Sequence, residues 1–330
     1  MFHLLGDLCS PGGSRGKLTV LIYHRVLAEA DPILHDEIDA AHFAVHMQFL
    51  RREFNVLPLG DAVAGLRRGS LPPRALSITF DDGYANNEEV ALPILTGLDL
   101  PATFFVSTGF LDGRIMFNDS IIEAVRSAPA GTHDLGPIGL PAIAFGDSVS
   151  RRSAIDLLIG HLKYRPQDER GALTQTLADA LRGTLPRNLM MSPDQVRRLH
   201  RQGMAIGSHT INHPILMQQD AATASDEIVG SKRRLEEITG APVTLFAYPN
   251  GQPGVDYGAR DIEIVRQAGF DAALSTVSRV ADRRSDLMQI PRINPWDRSP
   301  RRMGLRLLAG ALFPPPDQQA RSGQLMTASR

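Results

Sequence analysis

Short apolar runs bounded by Gly, Pro and polar turn residues alternate along this chain with longer stretches in which apolar positions recur every three or four residues. The first pattern suits strands buried on both faces, the second amphipathic helices, and their alternation predicts βα units around a parallel sheet. Strands are predicted near Leu18–Tyr23, Asn55–Leu57, Ala75–Phe80, Thr103–Ser107, Met204–Ser208, Val243–Tyr248, Ala272–Ser275 and Met288–Ile293. Helices are predicted over Ala41–Glu53, Glu88–Gly97, Pro193–Gln202, Ala224–Ile238 and Ala259–Ala268. The fourth of these helices runs up to Gly240, a residue type suited to the left-handed conformation that ends helices.

Between Arg114 and Met191 the rhythm breaks: a Pro/Gly-rich loop precedes two helical patterns, Arg151–Lys163 and Gln167–Arg182. This reads as a mainly helical insertion at about 114–192 within a domain spanning 17–297, placed at the rim where catalytic loops gather. Residues 1–16 form an N-terminal segment and 298–330 a basic and apolar C-terminal one, with a polar tail after Pro316 expected to be disordered. The segment from Arg298 to Arg306 carries four arginines just ahead of LLAGALF. Two expectations follow. A short interfacial helix would set its arginines against anionic headgroups and Met303, Leu307, Leu308, Leu312 and Phe313 into the acyl boundary, giving peripheral association with the inner membrane surface. A closing helix would pack the same apolar residues on the barrel.

Composition narrows the choice of partner. With 330 residues, 43% hydrophobic and 22% charged, the chain can bury a substantial core, and a formal charge of -1 argues against nucleic-acid binding. One cysteine excludes an intrachain disulfide framework and a multi-cysteine metal site, so any metal would be held by His and carboxylate groups. The N-terminus is a poor signal peptide, and cytoplasm is the expected compartment.

Two motifs carry candidate chemistry, each at the C-terminal end of a predicted strand, the face on which barrel-like α/β proteins build their sites. Thr79-Phe80-Asp81-Asp82-Gly83 places adjacent carboxylates at a buried strand end, where like charges repel unless a cation or proton intervenes. Alone, Asp-Asp-Gly is also an ordinary turn. Ser208-His209-Thr210-Ile211-Asn212-His213-Pro214 places two histidines four apart, as on one face of a helical turn. Together, one Asp and two His make a ligand set that leaves positions open for water and substrate. The second Asp is then free to take a proton from water.

These motifs resemble the polysaccharide deacetylases with the NodB homology domain (carbohydrate esterase family 4-like), over roughly Leu18 to Asn294. TFDDG stands at Thr79–Gly83, and His-Ser/Thr-x-x-His appears as His209–His213. The resemblance implies a distorted (β/α) barrel, usually seven-stranded, a divalent metal that is commonly zinc, and removal of acetyl groups from N-acetylated glycans. It also implies Asp81 as base and Asp82, His209 and His213 as ligands. Ala247-Tyr248-Pro249-Asn250-Gly251 stands where many members carry Arg-x-Pro-Tyr and resembles the exopolysaccharide-linked branch. Arg292 is expected to supply the missing guanidinium. His24, at the end of the first predicted strand, is expected to replace the absent acid of the terminal Leu-x-His motif.

Backbone N–H groups around Tyr248, Asn250 and Gly251 are candidates for holding the oxyanion, and Trp296 for stacking on a sugar or serving as a core lid. His42 and His46, though four apart, have no acid motif nearby and read as packing or solvated residues. The leading expectation is deacetylation of an N-acetylhexosamine in a polysaccharide or lipid-linked precursor. Hydrolysis of a non-sugar or cyclic amide and catalytically silent sugar binding are the alternatives.

Overall fold

The computed structural model describes residues 2–312. A first helix α1 (Phe2–Cys9) leads to strand β1 (Leu18–Tyr23) and the small parallel pair β2 (Val26–Leu27) and β3 (Ile38–Asp39). Helix α2 (Ala40–Glu53), strand β4 (Asn55–Val56), helix α3 (Leu59–Arg68), strand β5 (Ala75–Phe80), helix α4 (Leu92–Gly97) and strand β6 (Thr103–Val106) complete the first half. The insertion contributes α5 (Phe117–Ser127), the antiparallel strands β7 (Gly131–His133) and β8 (Ile143–Phe145), α6 (Ser148–Leu162) and α7 (Gln167–Leu181). The βα rhythm then resumes with α8 (Pro193–Arg201), β9 (Ala205–Ser208), α9 (Ala221–Thr239), β10 (Leu245–Ala247), α10 (Ala259–Gln267) and β11 (Ala272–Leu274), followed by α11 (Pro300–Leu312).

The main sheet has seven strands in the order β1-β5-β6-β9-β10-β11, with β4 beside the start of β5, and its named pairings are parallel. All six residues of β1 and all six of β5 are buried, as continuous apolar runs covered on both faces should be. The curled sheet with outer helices is the expected (β/α) barrel. Its core includes Leu21, Phe43, Ile78, Phe104 and Phe246.

Met288–Ile293 does not form the expected strand. Leu287–Gln289 is a 3-10 turn, after which Ile290 bridges Leu274 of β11 and Ile293 bridges Leu21 of β1. Between them Pro291 has no N–H to give, and the Arg292 N–H turns to Val277 O at 3.0 Å, so the ladder is reduced to two isolated bridges. These bridges still join the first strand to the last.

The insertion has an apolar core of its own, including Ile121, Leu158, Leu177 and Leu181, all inaccessible to solvent. Helix α5 and the β7–β8 hairpin occupy the stretch expected to be loop. The helix packs against both α6 and α7.

Helix α11 packs against α1 and α2, with Met303, Leu307 and Leu308 buried and the Lys17 ammonium donating to Ala311 O. This is the closing role. Three of the five side chains expected to enter a bilayer, Met303, Leu307 and Leu308, are buried within the fold, while Leu312 is exposed. Phe313 and the tail after Pro316 lie outside the described residues. Among the described residues no helix is long and apolar enough to cross a membrane.

Candidate active site

The two acids of the first motif leave β5 in different directions. Asp81 keeps its backbone in register, donating its N–H to Tyr23 O at 2.9 Å, whereas Asp82 turns into the left-handed region at φ 75°. Asp81 meets Arg292 in a two-pronged pair, Nη1 to Oδ1 at 2.6 Å and Nη2 to Oδ2 at 2.7 Å. Arg292 is itself 1% exposed and anchored by Nε donating to Ser275 O at 3.0 Å. Taking two such charges from water costs several kcal/mol each, which only a bidentate geometry with further hydrogen bonds repays. Burial pushes the Asp81 carboxyl up, but the guanidinium, with His209, outweighs it and holds the group below the usual carboxylate range.

Asp82 faces the histidines. Its Oδ1 lies 3.4 Å from both His209 Nε2 and His213 Nε2, is buried, and has no hydrogen-bond partner. The three ligand atoms lie within 4.8 Å of one another. His209 Nδ1 lies 2.7 Å from Ala247 O and donates to it, which fixes the tautomer and turns the Nε2 lone pair toward Asp82. Asp81 Oδ2 is 3.9 Å from the same Nε2. A buried carboxylate oxygen without a donor, faced by two imidazole nitrogens, is the arrangement a divalent cation would complete, and the residues fit one. Burial lowers the His213 pKa to about 4, so that imidazole is a neutral ligand at physiological pH.

The histidines do not lie on a helical turn as their spacing suggested. Residues 209–213 form a bend with Thr210 at φ 66° and His213 at φ 52°. Left-handed backbone at a β-branched residue is strained by about 1–3 kcal/mol and persists only where neighbours enforce it. The enforcing group is Glu227 of α9. Its carboxylate accepts from the N–H groups of Ile211 at 2.9 Å and Asn212 at 2.8 Å and from Asn212 Nδ2 at 2.7 Å. Thr108 and Gly109 add backbone donors to Thr210 O and Ile211 O. Among the described residues seven non-glycine residues have positive φ, and three of them, Asp82, Thr210 and His213, belong to the paired-acid and histidine motifs.

Sequence reading did not single out Glu227. Its signal was an acid on the apolar stripe Ala224, Ile228, Leu235, Ile238 of α9.

His24 is half-buried directly after β1, near enough to Asp81, Asp82 and His213 to act on each electrostatically, so it belongs to the same mouth. The turn after β10 differs from expectation. The Tyr248 N–H donates to Leu274 O at 3.1 Å and its ring is buried against Tyr257 with centroids 3.7 Å apart, so neither reaches a substrate. The Gly251 N–H donates to Pro249 O at 2.6 Å, leaving Asn250 as the one amide of that turn without a backbone acceptor among the described residues. Gly251 itself is required: its φ is +75° and a Cβ there would stand 2.9 Å from Thr276 N.

Trp296 is 64% exposed, with the Arg306 guanidinium 4.7 Å from its ring centroid. It is a surface ring and not a core lid. On α2, His42 is partly exposed and bonds Asp39 at 2.8 Å, while His46 is buried as a packing residue.

A family model described as polysaccharide deacetylase matches residues 68–137 and 168–273, skipping the middle of the insertion. The Bacillus subtilis strain 168 protein YxkH, whose name places it among polysaccharide deacetylases, is 19% identical over 279 residues, covering 84% of this chain and 71% of its own. The fold is shared with Streptococcus pyogenes deacetylase PplD, solved in complex with acetate, at TM-score 0.61 and 18% identity, covering 89% of this chain and 99% of that one. IcaB from Ammonifex degensii aligns at TM-score 0.58 and 19% identity over 92% of this chain and 99% of its own. The BpsB deacetylase domain from Bordetella bronchiseptica aligns at 0.53 and 18% over 84% and 95%. Since the matched model spans more than half of the 330 residues and takes in both the paired acids and the paired histidines, the chain belongs to the polysaccharide deacetylase family.

Proposed function

We propose that this deacetylase hydrolyses the N-acetyl group of N-acetylhexosamine units in a polysaccharide or lipid-linked glycan precursor, using a divalent cation held by Asp82, His209 and His213. The observation that carries the reading is the unpartnered, buried Asp82 Oδ1 between two imidazoles, beside a second carboxylate already matched to its own arginine. Two nitrogen ligands and one oxygen suit zinc. When bound, the cation supplies Lewis-acid polarisation of water and of the amide carbonyl.

The remaining steps fall to the chain's own groups. Asp81, kept ionised by Arg292, takes a proton from the water that attacks the acetyl carbonyl carbon. His24 gives a proton to the departing nitrogen as the C–N bond breaks, leaving acetate and a free amine on the sugar. Arg292 prevents Asp81 from turning to the cation, since both carboxylate oxygens are engaged by its fork.

Acetate release from N-acetylated oligosaccharides and lipid-linked sugars, measured with metal content on the same sample, tests this. Chelation should abolish release and zinc should restore it. Asp81→Asn should keep its metal and lose nearly all turnover, and His24→Ala should keep its metal and lose about 10²-fold. Full turnover after complete removal of metal, or near-normal turnover by Asp81→Asn, would sink the proposal.

A further inference from the structure

A cavity of about 560 Å³ opens between the insertion and the histidine loop, with Asn212 and His213 on one side and Arg114, Arg170 and Arg187 around the rest. Among the described residues no Asp or Glu lines it. That is a local segregation of charge, because the whole chain has 35 Lys and Arg against 36 Asp and Glu. Arg114 and Arg170 meet neutral groups. Arg114 Nη1 donates to Asn212 Oδ1 at 3.5 Å and its guanidinium lies 5.6 Å from the Phe110 ring centroid. Arg170 Nη1 donates to Lys163 O at 3.1 Å, and its guanidinium lies 4.3 Å from the Phe117 ring centroid.

Arg170 is 7% exposed, and burial lowers its pKa, the mark of a cation in a poorly solvated place without a counter-ion. A guanidinium bears this better than an ammonium, through stacking and weaker hydration. Three cations around one acid-free cavity still raise its potential and favour an anion within it.

We propose that this cavity is an anion subsite of the catalytic cleft, and that the glycan taken by the enzyme carries an oxyanion group, phosphate or carboxylate, close to the acetamido sugar. The proposal rests on the deacetylase reading of the adjoining His213 site. Forked guanidinium donors match the paired oxygens of either group. The helical insertion then has a function: it brings Arg170 and Arg187 to a site whose chemistry the barrel alone supplies.

The test uses the full chain, its Arg114→Gln/Arg187→Gln double variant, and Arg234→Gln, an arginine that pairs with Glu237 on α9. Arg170 is kept because it also packs α7 on α5. Inorganic phosphate and glucuronate are titrated separately by calorimetry, and kcat/KM is compared for neutral N-acetylglucosamine oligosaccharides and for oligosaccharides with a phosphate or uronate beside the acetylated unit. At least one anion should bind, ten-fold or more weaker in the double variant and within two-fold in Arg234→Gln. The kcat/KM preference for anionic over neutral substrate should fall ten-fold or more in the double variant. Binding of phosphate alone assigns a phosphoryl group, and binding of glucuronate alone a uronate. No binding of either, binding indifferent to the double substitution, or equal use of neutral and anionic substrates by the unsubstituted chain would overturn the subsite. Arginine-dependent anion binding with no deacetylation of any substrate would leave the subsite standing and remove the reaction.

Discussion

Asp81 and Asp82 are adjacent in sequence but face different partners, one an arginine and the other two histidines, and the division is made by backbone conformation. Left-handed φ at Asp82 swings its carboxylate toward the histidines while Asp81 stays in strand register against Arg292. Replacing Arg292 by Met removes the group that offsets the burial of Asp81, so the carboxyl pKa must rise. If Asp81 works unprotonated as proposed, the acid limb of the kcat/KM profile should move to higher pH, with lower turnover at neutrality. An acid limb that stays in place in Arg292→Met would separate Arg292 from the base. The sequence offered Arg292, at the end of the last predicted strand, as the source of the missing guanidinium, but not the geometry of its contact. That it closes on Asp81, 211 positions earlier, is a product of barrel closure.

At the scale of elements, α9 holds the metal-candidate loop from behind. Glu227→Gln keeps the shape but sets an amide donor against N–H and Nδ2 donors, so a buried group loses its match at a cost of about 1–3 kcal/mol. Zinc affinity, read by competition with a chromophoric chelator, should fall about ten-fold or more. Glu236→Gln, on the same helix but paired with Lys232, should leave it unchanged, and equal affinities in the two variants would deny Glu227 its role.

Helix α5 carries Asp119, 1% exposed, which receives the Tyr84 hydroxyl at 3.3 and 3.1 Å. Burial raises its pKa to about 7. The native state therefore holds a proton that the unfolded chain has released between about pH 4 and 7, so the stability Asp119 contributes is present below pH 4 and lost as pH rises through 7. Asp119→Asn should gain up to about 4 kcal/mol over the parent at pH 8 and little at pH 4, measured by urea unfolding. A pH-independent difference would refute this.

The strands that bear motifs were legible because burial on both faces writes a continuous apolar run, as in LTVLIY and ALSITF. Helix α5, the β7–β8 hairpin and the two-bridge segment at Ile290–Ile293 were not. Their form depends on a partner surface and a proline, which local periodicity does not report.

For the whole molecule, the C-terminal helix is part of the barrel's enclosure. Leu307, 1% exposed, reaches the main core, whereas Leu305 two positions away is 60% exposed. Leu307→Ala should cost about 2–5 kcal/mol in chemical denaturation and Leu305→Ala under about 0.5. If Leu307→Ala proved neutral to unfolding, α11 would be a detachable segment. The sequence put the packing and membrane roles of this helix side by side, because an apolar stripe flanked by arginines is common to both, and only the position of α1 and α2 distinguishes them.

The seam at Ile290–Ile293 couples mechanical integrity to chemical competence. Two backbone bridges link this segment to the first and last strands, and the residue between them is the one that pairs with Asp81. Because Ile290, Arg292 and Ile293 sit on one short buried segment, any change that parted the strands there would strip Asp81 of its guanidinium in the same event.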